Sequence, residues 1–288
     1  MTMRSLALGH GRHLAPEGGG TLVRHFILLF MAAVMILPIL WAFSTAVKPQ
    51  SEIYAFPPRL FTSRVAWENF AKAWKSAPFG RYAFNSAFVT LTIVACQLVN
   101  ASLAAYAFSW LSFKGRDTLF LFFLVAMMIP TQVLIVPTFM IFKTFGWIDT
   151  YWSLIVPFAA NAFGTFLLRQ SFLSIPKDLV DAARIDGCGH LGIIRSVMLP
   201  SSKSALISFS LLTFTWRWND YFWPLIMTNS TKMRTLPVGI VFLRTSEGSI
   251  EWNVVMAGAV MVMLPVILLF IFLQRYFVEG VMSSGIKG

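Results

Sequence analysis

The sequence predicts an all-α integral membrane protein of six transmembrane helices, with one amphipathic helix–turn–helix loop between the fourth and fifth. Three observations predict it. The 288 residues are 57% hydrophobic and only 12% charged, about half the ~25% charge of a soluble domain, and the mean hydropathy is +0.70. The apolar residues gather into nearly uncharged runs, and a helix needs about 20 such residues to cross hydrocarbon. Backbone groups in lipid must pair within their own segment, so such runs form helices and not an open sheet. The same composition excludes intrinsic disorder, a collagen-like fibre and a disulfide-stapled secreted scaffold. Cys96 and Cys188 lie far apart and offer no framework for a disulfide or a metal site.

Residues 1–25 are a polar tail, and 26–47 supply the first span. That run is longer than the apolar region of a signal peptide, so it is expected to stay uncleaved. No charge occurs between Arg81 and Lys114, which makes 85–111 the second span. The third, 118–142, is bounded by Asp117 and Lys143, and the fourth, 150–168, by Asp149 and Arg169. The fifth, 204–229, is interrupted by Arg217 and Asp220, and the sixth, 253–274, lies between Glu251 and Arg275. A six-span domain over 26–276 then leaves a short tail at 277–288. Six is an even number, so both termini share one side. Pro38, Pro130, Pro137, Pro157, Pro224 and Pro265 fall inside these runs, where neighbouring helices must satisfy the carbonyls they free.

The net charge of +11 is spread over the segments between spans, which suits loops facing anionic lipid and not nucleic acid. With both termini inside, the inner segments hold 12 Lys and Arg and the outer ones 10, a bias too small to orient the chain. The basic tail residues Arg4, Arg12 and Arg24 favour an inner N-terminus.

Two hydrophilic segments stand out. Residues 48–82, with Pro57-Pro58 and several aromatics, read either as a connector on the membrane surface or as a docking surface for an external partner. Residues 169–203 are more specific. Ser174-Ile175-Pro176 followed by Asp178 starts a helix, because proline fits the first turn and the acid complements the helix dipole. Leu179, Ala182, Ala183 and Ile185 give that helix an apolar side, with Lys177, Asp181 and Arg184 in water. Gly187 and Gly189 break it, and Gly187 is expected where a side chain would clash. Leu191, Ile193, Ile194, Val197 and Met198 begin a second amphipathic stretch that stops at Pro200. Such an elbow rests on a membrane face or enters a partner's groove.

Asp181-Ala182-Ala183, Gly187 and then Leu199-Pro200 resemble the EAA loop of ABC importer membrane subunits, which reads Glu-Ala-Ala, a glycine, about nine spacers, then Ile-x-Leu-Pro. Asp181 replaces the glutamate and Val197 the isoleucine. Phe166-Leu167-Leu168-Arg169-Gln170, Trp218-Asn219-Asp220 and Gln274-Arg275-Tyr276-Phe277-Val278 look like the carbohydrate-uptake branch, specifically the smaller permease subunit of maltose-type importers. Lys48-Pro49, Pro57-Pro58, Glu68-Asn69-Phe70 and Asn85-Ser86 match as well, so the likeness covers about 26–288.

The resemblance implies that 169–203 is a cytoplasmic coupling loop, which places both termini in the cytoplasm of a bacterial cell with the chain in its inner membrane. Asp181, Ala182, Ala183, Gly187, Leu199 and Pro200 would meet a separate ATPase dimer. The other implied partners are a second homologous permease subunit, an extracytoplasmic solute-binding protein and the lipid bilayer. The solute would be a sugar or oligosaccharide, or alternatively glycerol-3-phosphate, for which Arg217 could serve the anion. Trp218, Asn219 and Asp220 are the expected path residues, against the bland alternative of an interfacial tryptophan belt. No phosphate-cradling G-x-x-x-x-G-K-[ST] loop occurs, so ATP and Mg belong to the partner and this chain is expected to hold no cofactor, metal or catalytic residue. A secondary carrier would need midplane carboxylates or repeated broken helices, whereas Asp220 is the one acid expected within a span. A membrane enzyme would need a nucleophile–base set or paired carboxylates, which the spans lack.

Overall fold

The computed structural model describes residues 18–243 and 250–285, so residues 1–17 of the expected polar tail lie outside the described residues. All regular structure among the described residues is helical. The first helix, α1 (Gly18–Ala46), contains Pro38 and, from Phe26 to Phe43, is apolar on every side. Its residues are exposed over most of its length and it packs on the last helix of the chain. A helix hydrophobic all round belongs in lipid or against other helices.

The connector at 48–78 is folded onto the helix ends. It carries α2 (Gln50–Ile53) and α3 (Glu68–Ser76), of which Asn69 and Ala73 face inward. The Asn69 amide donates to the carbonyls of Ala46 at 2.9 Å and Lys48 at 2.8 Å. Asn253 donates to the Asn69 side-chain oxygen at 3.1 Å. One buried amide pair thus ties the end of α1, α3 and the start of the last helix, and leaving its carbonyls unmet would cost about 1–3 kcal/mol each.

The spine is α4 (Phe79–Trp110), 32 residues long. It starts six residues before the expected span because Phe79 and Tyr82 are buried among the side chains of Ala73, Leu236, Val254 and Ala257. Beyond it the expected continuous span at 118–142 is two half-helices, α5 (Arg116–Ala126) and α6 (Ile135–Thr144), joined by a tight turn at Thr131–Leu134 and bent by 85°. Pro130 sits at this bend; it lacks an N–H and disfavours helix in the residue before it.

The fourth run is broken too. α7 (Tyr151–Ile155) tightens into a 3-10 turn at Val156–Phe158 that holds Pro157. After a gap, α8 (Ala162–Leu173) continues at 41°. The carbonyls freed at the gap are met from α4: Gln97 donates to Phe158 O at 2.7 Å and Asn100 to Ala159 O at 3.0 Å. Asn161 caps α8 by accepting from the Gly164 N–H at 3.0 Å. This is how an irregular backbone survives at membrane depth.

The elbow follows as α9 (Lys177–Ile185), α10 (His190–Ile193), a wide π-turn at Ile194–Met198 and α11 (Leu199–Ser201). An 83° bend leads into α12 (Lys203–Trp218), and after a gap come α13 (Phe222–Met227), α14 (Leu236–Val241) and α15 (Trp252–Gly285). The expected fifth span is therefore interrupted at residues 219–221, and the last helix runs eleven residues past the expected 274. Among the described residues three helices are long and apolar enough to span unaided, and the bent pairs raise the number to as many as six.

Packing is densest where α4 meets α8 and α12 meets α15. At Gly164 a β-carbon would overlap the Phe209 ring, so α8 and α12 meet backbone against ring. Between α6 and α7, Asp149 (φ +62°) accepts from the N–H groups of Asn229 at 2.9 Å and Ser230 at 3.0 Å. Burial alone would raise this carboxyl, but the hydrogen bonds from Ser230 and Asn229 and the Arg234 charge outweigh it and hold the pKa below its ordinary value.

Candidate functional site

The elbow has two faces. Val180 and Ala183 turn inward, into a cluster with Phe172 on α8, Met198 and Phe209 on α12. Leu179, Ala182 and Ile185, spaced three apart, turn outward, and Ile185 is 87% exposed. Leu191, across the turn, is 72% exposed. The single apolar side expected from Leu179, Ala182, Ala183 and Ile185 is thus split: Ala183 packs against the body and the other three face away. Asp181 is exposed and pairs with Arg184 at 3.0 Å, one turn on.

Gly187 has φ +83°. The Gly187 N–H donates to Arg184 O at 3.0 Å and the Cys188 N–H to Ala183 O at 2.9 Å, the paired bonds of a Schellman cap. A β-carbon there would meet nothing within 4 Å. The expected clash is therefore absent, and glycine is needed for the left-handed backbone alone. Gly189 has φ −70° and carries no such requirement.

Leu199 and Pro200 close the elbow. Pro200 lies in the first turn of α11, directly after the π-turn. Proline cannot donate to the preceding turn and its ring crowds the carbonyl four residues back, which the wider π-turn relieves. The N–H of Ser202 donates to Met198 O at 3.1 Å, and its hydroxyl accepts from Ser171 at 2.8 Å. Two ties that sequence reasoning missed fix the elbow to the body. Val180 is fully buried, and the His190 Nδ1 lies 2.9 Å from the Tyr106 hydroxyl at the end of α4. Val180 shows as the inward partner of Ala183 at i, i+3; the Tyr106 contact has no local signal.

The residues expected along a path divide by role. Trp218 is 6% exposed, donates through Nε1 to Val262 O at 2.8 Å and stacks on Phe214. It holds α12 on α15. Asp220 pairs with Arg217 at 2.9 Å and accepts from the Trp223 N–H at 3.3 Å, bridging the break between α12 and α13. The Arg217 guanidinium lies 3.9 Å from the Phe158 ring centre. Asn219 is exposed and donates to Thr215 O at 2.9 Å. Among the described residues no group of three or more His, Cys, Asp or Glu gathers as metal ligands would.

Comparison with known proteins gives the family. Residues 97–283 match the model of the binding-protein-dependent transport system inner membrane component. The arabinooligosaccharides transport system permease protein AraQ of Halalkalibacterium halodurans is 34% identical over 262 residues, covering 90% of this chain and 94% of that protein. The sn-glycerol-3-phosphate transport system permease protein UgpE of Yersinia enterocolitica is 32% identical over 267 residues, covering 90% and 95%. A chain of a bacterial ABC transporter involved in the import of the acidic polysaccharide alginate superposes with TM-score 0.80 at 26% identity, covering 90% and 96%. With the helical body, the broken spans and the elbow on the page, these matches mean that the chain belongs to the family of binding-protein-dependent transport system inner membrane components.

Proposed function

We propose that the chain is one of two related permease subunits of an ATP-driven importer for a sugar or oligosaccharide, and that α9 is the element a cytoplasmic ATPase dimer grips. One observation carries this reading: α9 is fixed to the body through Val180 and Ala183 and bares Leu179 and Ile185 on its other side, with Leu191 of α10 exposed across the turn. Force transmission needs both, a face that is held and a face that is gripped. A short amphipathic helix entering a groove is a common recognition mode.

The reading places 169–203, the tail at 1–25 and the tail at 277–288 in the cytoplasm, with 26–276 as the six-span domain and the connector at 48–78 facing an extracytoplasmic binding protein. Asp181, Ala182, Ala183, Gly187, Leu199 and Pro200 belong to the coupling elbow. ATP and Mg act on the partner, and the solute crosses unchanged. A sugar is favoured over glycerol-3-phosphate because the Arg217 charge is already met by Asp220 at 2.9 Å. The phosphate reading keeps its place through the similarity to UgpE.

The test is Ile185→Asp in the complete complex. The expected result is normal membrane insertion, loss of the ATPase on purification, and loss of ATP-dependent uptake of radiolabelled maltose, arabinotriose or glycerol-3-phosphate, whichever the wild type carries. Normal co-purification and uptake would overturn the role given to α9.

A further inference from the structure

A buried charge is stable only where an opposite charge or hydrogen bonds compensate it. Lys48, where α1 gives way to the connector, is 3% exposed. Its ammonium carries three donors; it donates to the Arg59 carbonyl and lies 4.7 Å from the centre of the Trp41 ring. Among the described residues no acid forms an ion pair with it. Glu52, whose charge reaches Lys48, accepts instead from the Thr62 hydroxyl at 2.8 Å and the Ser63 N–H at 3.3 Å. Arg59 is exposed and is likewise in no ion pair among the described residues. Two cations, joined through the Arg59 carbonyl, thus stand together without a carboxylate of their own.

An apolar cleft opens beside them. Leu37, Pro38, Trp41 and Ala42 form one stripe of α1, and with Leu60 of the connector and Met256 of α15 they line a space of about 630 Å³. Ligand pockets occupy roughly 300–1,000 Å³. Trp41 belongs both to the cleft and to the Lys48 contact, and Leu60 follows Arg59, so the cations lie at the cleft's edge. Leu37 is about 14 Å from Ala46 along α1 at about 1.5 Å per residue, so the cleft stays within one leaflet of a bilayer whose hydrocarbon is about 30 Å thick. The level of the headgroups is marked by α3. Asn69 bonds both Ala46 O and Asn253, and Trp67 and Trp74 stand exposed there, as tryptophans do at a membrane interface. The order along α1 is therefore apolar cleft, indole, ammonium, which is the order of acyl chain, interface and phosphate in a lipid.

We propose that this cleft holds an acyl chain of an anionic phospholipid whose phosphate sits between Lys48 and Arg59. The importer reading above supplies only the side: the connector's leaflet is then the outer one. An anionic lipid fits better than a zwitterionic one, because the latter brings its own ammonium to a place that already holds two cations. A neighbouring helix would fill the apolar part but leave both charges unmet unless it brought an acid. A lipid held there touches α1, the connector and α15 at once, and so ties the membrane to the segment that the importer reading turns toward a binding protein.

The test is photo-crosslinking of the complete complex in phosphatidylcholine proteoliposomes. These carry a trace of either phosphatidylglycerol or phosphatidylcholine with a diazirine in the acyl chain. After irradiation, peptide mass spectrometry should place phosphatidylglycerol adducts on residues 37–42 or on Met256, at least about tenfold above those from phosphatidylcholine. Lys48→Gln combined with Arg59→Gln should bring the two probes to parity. Ala42→Phe fills the cleft without touching a polar group, so it should abolish adducts from both probes and reports even if the charge variant folds poorly. Equal labelling of the wild type by the two probes would overturn the anionic lipid. Absence of adducts at these residues would mean that protein covers the cleft, and would overturn the lipid site altogether. Uptake of radiolabelled maltose, arabinotriose or glycerol-3-phosphate by the same proteoliposomes reports on the importer reading separately. ATP-dependent uptake leaves that reading standing whatever the adducts show, and its absence at every lipid composition would overturn the reading while the adducts still decide the cleft.

Discussion

A left-handed φ of +83° at Gly187 costs a residue with a β-carbon about 1–2 kcal/mol, and more when the side chain is β-branched. The space around the residue is open, so the penalty depends on backbone preference and not on size. That separates two substitutions that volume would rank together. Gly187→Val should insert into the membrane and lose most uptake, because the Schellman cap would open and misplace Leu191 relative to Ile185. Gly187→Asn should keep most uptake, since asparagine visits this region more readily than other residues with a β-carbon. Uptake and membrane abundance measured together check the pair; equal loss in both variants would mean that bulk at the turn is what matters. The glycine was legible from its place in the resemblance, yet the reason for it was not, because a torsion angle leaves no mark in one sequence. The same holds for Trp218, which as a letter suits a sugar ring but in space donates to Val262 O and packs.

At the level of elements, the six apolar runs were legible because uncharged length is a direct consequence of the bilayer's thickness. Pro130 and Pro157 marked where the third and fourth runs break. What stayed hidden is how those breaks are tolerated. The groups that satisfy the fourth run lie about sixty residues earlier, with Gln97 and Phe158 61 apart and Asn100 and Ala159 59 apart, and pairing at that distance has no periodicity to read. Gln97 is 3% exposed and links three helices, since its oxygen also accepts from Thr213. Gln97→Leu keeps the volume but strands the Phe158 carbonyl and the Thr213 hydroxyl. The expected cost is about 1–3 kcal/mol for each unmet buried group, seen as a lower melting temperature of the detergent-solubilised complex. The double variant Gln97→Leu with Thr213→Val should recover the Thr213 share. An unchanged melting temperature in the single variant would mean that water replaces the amide at the gap.

For the whole molecule the proposed coupling requires that a push on the elbow reach the other helices. α4 offers the route, because its residues enter all three apolar clusters: Ala105 and Tyr106 with the elbow, Val89 and Ile93 with α7 and α13, Phe79 and Tyr82 with α14 and α15. Interiors packed to crystal density move as bodies and do not absorb displacement locally. The elbow joins this spine through Val180, Ala183 and the His190–Tyr106 contact. If the ATPase grips α9 as proposed, docking and transmission sit on opposite faces of that helix and should be separable. Val180→Ala leaves Leu179, Ile185 and Leu191 untouched, so the ATPase should still co-purify and still hydrolyse ATP when the binding protein is added. The cavity left behind α9 would let the helix shift without carrying α4 with it, so fewer solute molecules should enter per ATP hydrolysed. Ile185→Asp, on the other face, should instead lose the ATPase itself. If Val180→Ala lowered hydrolysis and uptake in the same proportion, the coupling ratio would be unchanged, and the force would have to travel by a route other than the inner face of α9.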